Sequence, residues 1–351
     1  MAPHTHMSDE AIRAAILDKP KMRPRDLADS LGISEGALVA AQVGQGATPI
    51  DANPHRLMPA VCTLGEVMAL TRNESAVHEK IGVYDNYHAG DHASMVLTKD
   101  IDLRIFPRHW VHAFAVEKEV DGNMRRSIQV FDAAGDAVHK VILRDASHLD
   151  GWNALVGDLR SDSAAPVFSE RTPVEVAKGD PEKADILRAE WAKMTDTHQF
   201  MRLTSKLKMN RLGAYRIAGE PFVIALAPTA LNDALEAMAE TGAPIMMFVG
   251  NMGCIQIHSG PIHKLMPMGP WQNVMDPGFN LHLRADHVSE VWLVEKPTKR
   301  GPALSIEAFD ARGMLILQCF GLRKEGAEDQ SDAFRSLTED LPRLNTEEEV
   351  A

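Results

Sequence analysis

Fifteen histidines are this sequence's largest store of side chains able to bind a metal or move a proton near neutral pH. Most are not spaced for it. The chain has no HxxxH pair on a helical stretch and no HExxH, the spacings that set two imidazoles on one helix face. His109 and His112 are three apart in a stretch that reads as strand, where an odd separation sends side chains to opposite faces. Cys62, Cys254 and Cys319 are odd in number and form no CxxC pair, so a reducing cytosol is expected rather than a disulfide framework. Ser127 and Ser305 lack a GxSxG elbow, and Gly250-Asn-Met-Gly253 lacks the strand–loop–helix context of a phosphate-binding loop. His198 is better placed. It sits in Thr195-Asp-Thr-His-Gln-Phe200, a polar turn after a helical run, where one ring nitrogen can face a cavity while a neighbour orients the other. On these residues alone, an exposed or helix-capping histidine is the plainer reading.

The elements that must carry such a residue come in two copies. Ser127-Ile-Gln-Val-Phe131-Asp132-Ala-Ala-Gly135 recurs 178 residues later as Ser305-Ile-Glu-Ala-Phe309-Asp310-Ala-Arg-Gly313. Phe114–Lys118 matches Trp292–Lys296, Asp102-Leu-Arg104 is echoed near Arg284, and residues 31–38 pair loosely with 207–214. His198 has no histidine counterpart, since its equivalent falls near Met22. Helices are expected at 8–20, 24–42, 186–191 and 230–240, and a helical pattern continues over 67–72. Strands are expected at 81–84, 93–97, 103–106, 111–116, 127–131 and 138–143, then at 244–249, 254–258, 279–284, 291–295, 304–309 and 315–320. Short turns between them favour antiparallel pairing. The expected fold is therefore α+β with a tandem structural duplication, each half a large antiparallel β-sheet flanked by α-helices. The expected boundaries are a first repeat at 8–160, a linker at 161–185, a second repeat at 186–325 and a flexible acidic tail at 326–351.

Composition narrows the function. A net charge of −12 argues against a broad nucleic-acid face. Arg23–Ala40 looks like a helix-turn-helix with Gly32 at the turn, yet its second helix has no Arg or Lys to read bases. Without an apolar leader or an 18-residue apolar run, neither export nor membrane insertion is expected, and a cytoplasmic location is. Eighteen methionines stand against three tyrosines, with a cluster from Met246 to Met275 that could line a pocket for a large flat ligand or simply fill the core.

Three long stretches, 69–80, 244–261 and 268–284, resemble the bacterial hemin-degrading factor family (HemS/ChuS/HmuS type), and the resemblance extends over about residues 20–325. It implies two tandem sheet-and-helix domains, with haem b bound as ligand or substrate by the second. It further implies that His198 is the axial ligand of the haem iron and that Arg104 is the distal, catalytic arginine. Arg211 and Lys296 would anchor the propionates, Gln318 would add a polar contact, and Phe248 with Met246 would give the porphyrin an apolar face. Phe320 stands where the family often has Tyr, which would remove one propionate hydrogen bond. His78 reads as structural rather than as a second haem contact. The implied function is haem-iron uptake with oxygenase-like ring opening, or else a haem chaperone. The implied partners are a haem ABC transporter, a downstream haem oxygenase and an electron donor.

Overall fold

The computed structural model describes residues 7–162, 165–323 and 329–344. They divide into two compact units. The first comprises the chain up to Arg72, His78–Thr172 and Gly250–Gln256; the second comprises Asn73–Val77, Pro173–Val249 and the chain from Ile257. Each unit thus takes one short segment from the other's stretch of sequence, a feature absent from the boundaries expected above.

The first unit opens with α1 (Asp9–Asp18), α2 (Pro24–Leu31) and α3 (Glu35–Ala40), followed by β1 (Ala47–Ile50), α4 (Pro54–Cys62), β2 (Val67–Arg72) and β3 (Ala76–Gly82). It continues through β4 (Tyr87–His88), β5 (Ser94–Leu97), β6 (Asp102–Ile105), β7 (His112–Val120), β8 (Asn123–Phe131), β9 (Ala137–Leu143) and α5 (Leu149–Leu159). Neighbouring strands in the order β1-β7-β8-β9-β2 pair antiparallel. One sheet face packs on α4 and α5 through Leu57, Val61, Trp152 and Leu155; on the other, Val39 of α3 meets Phe114 and Phe131.

In the second unit come α6 (Ala184–Trp191), α7 (Gln199–Leu207), α8 (Arg211–Ala218), β10 (Val223–Leu226), α9 (Ala230–Thr241), β11 (Ile245–Gly250) and β12 (Cys254–Gly260). After them stand β13 (Trp271–Asp276), β14 (Phe279–Arg284), β15 (Glu290–Lys296), β16 (Ala303–Phe309), β17 (Leu315–Gly321) and α10 (Asp332–Glu339). The order β10-β15-β16-β17-β11 is again antiparallel throughout. Here α9 and α10 cover one face through Leu231, Leu235, Met238 and Phe334, while α6–α8 cover the other with Trp191, Phe200 and Tyr215. Strands β3 and β12 each have residues in both units.

The duplication reaches individual hydrogen bonds. Asp132 Oδ1 accepts from the amides of Ala134 and Asp136, both at 2.9 Å, and Gly135 follows at φ +83°. Asp310 Oδ1 accepts from Arg312 and Met314 at 3.0 and 2.8 Å, and Gly313 follows at φ +85°. Each turn is an Asx turn closed by a glycine in the left-handed region. Two helix glycines, not equivalent in the repeat, are required for a different reason. A Cβ on Gly213 of α8 would lie 2.0 Å from the Lys178 carbonyl oxygen, and one on Gly36 of α3 would lie 2.9 Å from Gly135 Cα.

Several expectations need correction. Residues 67–72 form a strand, not a helix, and bury alternate side chains in a period of two. Helix 24–42 is two helices broken at Gly32, φ +68°. The second buries Glu35, Leu38 and Val39 within its unit. His109 ends a short 3₁₀ turn, Pro107–His109, rather than lying in a strand. The expected 326–351 tail contains α10, in which Phe334 is fully buried; residues 324–328 and 345–351 lie outside the described residues. Within the expected 161–185 linker, Ser169 donates its amide to Ala133 at 2.7 Å and Arg171 clasps Asp136.

The first unit depends on one buried carboxylate. Glu35 of α3 receives Arg72 of β2 and Lys140 of β9, fastening the helix layer to the sheet. Burial alone would raise its pKa, but the two cations outweigh burial and hold it at about 2 against an ordinary 4.5. A depressed folded pKa stabilises the fold above pH 4.5, and that stabilisation is lost as pH falls through 2. Relative to wild type, Glu35→Gln should therefore lose on the order of 3 kcal/mol at pH 7, with a gap that closes as the pH approaches 2. Urea unfolding across that range reads this directly; a gap independent of pH would refute it.

Candidate functional site

Register decides which residues share a face in the second unit. Directly opposed residues in an antiparallel sheet point the same way. Trp292 of β15 pairs with Glu307 of β16, Glu307 with Gln318 of β17, and Gln318 with Phe248 of β11. In the adjacent row, Val294, Ser305, Phe320 and Met246 are aligned in the same way. Lys296 lies two residues beyond Val294 and so shares that face. Five residues singled out from the sequence, Met246, Phe248, Lys296, Gln318 and Phe320, are thus brought to one sheet surface. It is the surface that carries the α6–α8 layer, since Met247, Ile306 and Cys319 point into the α9–α10 core. Phe248 and Phe320 meet edge to face at 5.3 Å, an apolar patch between the two rows.

Arg211, at the start of α8, reaches this surface through a residue that sequence reasoning missed. Glu307 is fully buried and accepts from Arg211 Nη1 and Lys296 Nζ, both at 2.7 Å. The Tyr215 hydroxyl donates to it at 2.9 Å and the Ser305 hydroxyl at 3.0 Å. Burial would raise the Glu307 pKa, but the charges of Lys296 and Arg211 outweigh it and hold the carboxyl well below the usual range. Burial pushes Lys296 down to about 8 although Glu307 opposes the shift, and it pushes the Tyr215 phenol far up. At neutral pH the cluster is one carboxylate between two cations, a net single positive charge facing the sheet surface. The sequence signal for Glu307 was faint: it is the position where the repeat replaces Gln129 with an acid.

His198 occupies the N-cap position of α7, and its side chain is 95% exposed. Its side chain does not cap the helix. Asp196 Oδ1 instead accepts from the His198 backbone amide at 2.8 Å and lies 2.7 Å from Nδ1. The backbone hydrogen bond, joined by that from the ring, lowers the Asp196 pKa, so the carboxylate is ionised and can only accept. Nδ1 must therefore carry a proton, so that in the neutral ring the lone pair lies on Nε2, available to a metal. His198 is thus an exposed N-cap residue whose ring is held by Asp196. Helix α7 ties it to the charge cluster, because Phe200 lies under Lys296 Nζ at 5.0 Å. Exposed Met201 on the same helix approaches Arg211 Nη2 at 3.6 Å and was also missed from the sequence.

Arg104 belongs to the first unit, on β6, where it pairs with Asp102 two residues back and donates to the Leu103 carbonyl at 3.1 Å. The strand ion pair is thus present. His78 is buried, with Gln256 Nε2 3.0 Å from its Nδ1, as a structural histidine should be. Among the described residues no group of His, Cys, Asp or Glu side chains is arranged to hold a metal ion by itself. A single imidazole, in a unit that also holds an apolar patch and a cationic cluster, fits a metal that brings its own flat organic ligand.

Known proteins bear on that geometry. A family model described as the haemin-degrading HemS/ChuX domain matches residues 32–159 and again 208–341. The chain belongs to the haemin-degrading HemS/ChuX family. The repeated match agrees with the two antiparallel sheets. The hemin transport protein HemS of Yersinia enterocolitica is 35% identical over 335 residues, covering 95% of this chain and 96% of that protein. The crystal structure of holo-PhuS, a heme-binding protein from Pseudomonas aeruginosa, has a TM-score of 0.90 at 41% identity, with 95% of this chain and 98% of that one covered. ChuS, described as an E. coli heme oxygenase, has a TM-score of 0.85 at 32% identity, over 94% of this chain and 99% of that one.

The Asp196 contact makes a prediction that needs no ligand. In nitrogen-15 NMR of the protein, His198 should be held in the Nδ1–H tautomer, and Asp196→Ala should shift it toward Nε2–H, the form favoured by free imidazole side chains. An identical tautomer in the variant would remove Asp196 as the orienting group.

Proposed function

We propose that this protein binds haem b through His198 and serves haem-iron utilisation by opening the porphyrin ring. The observation that carries the reading is the outward Nε2 of His198, its ring fixed by Asp196, in the unit that also holds the apolar Phe248–Phe320 patch and the cationic cluster. Haem supplies the redox chemistry when bound; the protein's residues bind, orient and exclude water. His198 would ligate the iron. Met246, Phe248 and Phe320 would lie against the porphyrin, and Gln318 would offer a polar contact from the same row of the sheet. Arg211, with Lys296 behind it, would supply positive charge for the propionates. Phe320 has no hydroxyl, so it adds packing there rather than a hydrogen bond.

Arg104 is proposed as the catalytic arginine. Its guanidinium stays charged and offers several fixed donors, so it could hold a small oxygen ligand once released from Asp102. The same proposal places the protein in the cytoplasm, supplied by a haem ABC transporter and dependent on an electron donor. Among the described residues no helix is long and apolar enough to cross a membrane. The second reading, a haem chaperone passing its cargo to a separate oxygenase, draws on relatives described by transport and binding rather than by catalysis.

Ligation and turnover are tested separately. His198→Ala should weaken haem binding by one to two orders of magnitude, a loss of roughly 1.4–3 kcal/mol, and should alter the Soret spectrum. Unchanged affinity and spectrum would end the assignment. For turnover, the haem complex is supplied with reductant, oxygen and catalase. Soret loss with release of CO or an open tetrapyrrole supports ring opening. Product that disappears with catalase would leave the chaperone reading in its place. Arg104→Ala should retain haem but lose turnover.

A further inference from the structure

We infer that Glu307 is the positioning residue of the site, holding the Arg211 guanidinium at the sheet surface so that its remaining N–H groups meet a ligand carboxylate. The inference rests on the haem-binding reading above and goes beyond it in assigning roles within the charge cluster. Glu307 itself is closed to ligand. Its Oε1 takes Lys296 Nζ and the Ser305 hydroxyl, its Oε2 takes Arg211 Nη1 and the Tyr215 hydroxyl, and the residue is fully buried. With four donors in place, the carboxylate has no acceptor direction left to offer.

Lys296 is closed as well. Its side chain is 4% exposed, its ammonium donates to Glu307 and to the Tyr215 oxygen at 2.9 Å, and the rings of Phe200 and Tyr215 lie 5.0 and 5.2 Å away. Arg211 differs. Nη1 is committed to Glu307, but its side chain is 22% exposed and, among the described residues, Nη2 has only the weak thioether contact to Met201. Of the two cations expected to anchor propionates, Arg211 is therefore the one presented. Lys296 acts through Glu307, as a counter-charge behind it.

The alternative is that a ligand carboxylate displaces Glu307 and takes over both cations. That would break four hydrogen bonds and leave Glu307 charged and buried without partners, a heavy cost for an interior carboxylate. A neutral residue in place of Glu307 has a different effect. The groups around Lys296 are Glu307, Arg211 and Tyr215; without the Glu307 charge, burial and the nearby Arg211 would drive the ammonium toward its neutral form. The cluster would then keep a single positive charge, so loss of the acid disturbs orientation more than net charge.

The test compares haem with its dimethyl ester, which lacks the propionate charges, by equilibrium titration into the full-length protein. Wild type should favour haem over the ester. Glu307→Gln should bind haem about tenfold more weakly, as expected when a charge-assisted hydrogen bond is replaced by a neutral one, while the ester is unchanged within about twofold. Arg211→Ala should show the same selectivity loss. Tyr215→Phe removes one hydrogen bond to the same carboxylate without changing charge, and should give a smaller loss, again confined to haem; it serves should Glu307→Gln fail to fold. Equal weakening of both porphyrins would make Glu307 merely structural and overturn the proposal. Tighter haem binding by Glu307→Gln would overturn it in favour of displacement. Equal wild-type affinity for haem and ester would remove carboxylate anchoring and this proposal with it, while failure of wild type to bind either porphyrin would instead sink the haem-binding reading itself.

Discussion

A buried carboxylate shared by two cations is the interaction on which the second unit turns. Glu307 sits on β16, Lys296 on β15, and Arg211 on α8, so their contacts cross from the sheet to the helix layer. Burying three charges is costly, and it is sustained here because every acceptor direction of the carboxylate is filled. Partial versions of this cluster would be worse than none. That all-or-nothing character fixes α8 against one set of sheet residues, and Trp191, Phe200 and Tyr215 then pack as one aromatic group around it. Helix α7 is part of that group through Phe200, and His198 is the residue before its first turn. The exposed histidine therefore inherits its place from a buried ion cluster.

The first unit contains a similar device with the acid on the helix layer instead of the sheet. There the helix α3 supplies the acid, Glu35, and the strands supply Arg72 and Lys140. In repeat numbering Glu35 corresponds to about Arg211, Gln129 to Glu307, and Lys140 to Gln318. At none of these three positions do the halves share a charge, yet both have a carboxylate between two cations joining a helix to the sheet. The shared element is the coupling of layers, which each unit needs to be stable. It does not by itself mark either half as a binding one.

Much of the architecture was legible because it rests on local chemistry. The Asp–x–x–Gly turns, the strands that follow them and the antiparallel order could all be read from 127–135 and 305–313, since an Asx turn closed by glycine is a four-residue event. Residues 67–72 misled for a definable reason: Val-Met-Ala-Leu is apolar at every position, so length and composition suit either element, and only tertiary pairing with β9 selects the strand. Helices α7 and α8 were passed over because polar Thr204, Ser205 and Asn210 interrupt the pattern. Of the site, the residues along β11, β15 and β17 could be placed from strand periodicity together with family resemblance. Glu307, Tyr215 and Asp196 could not. Their roles depend on contacts made by folding, across 96 residues for Arg211 and Glu307, or on a hydrogen bond to a ring whose orientation no sequence states.

What separates the halves is therefore smaller than the duplication suggests. Sheet order, turn chemistry and even the buried charge triad recur, so none of them tells the halves apart. The turn Asp196-Thr-His198 does not recur. Its aspartate binds both the amide and the ring of His198, giving an exposed histidine a defined tautomer at almost no cost to the core. A gain of that kind is open to a duplicated domain because it lies at a helix end, outside the packed layers that both copies must preserve. The ion cluster beneath fixes the helix that follows that position, and the three-residue turn fixes the ring.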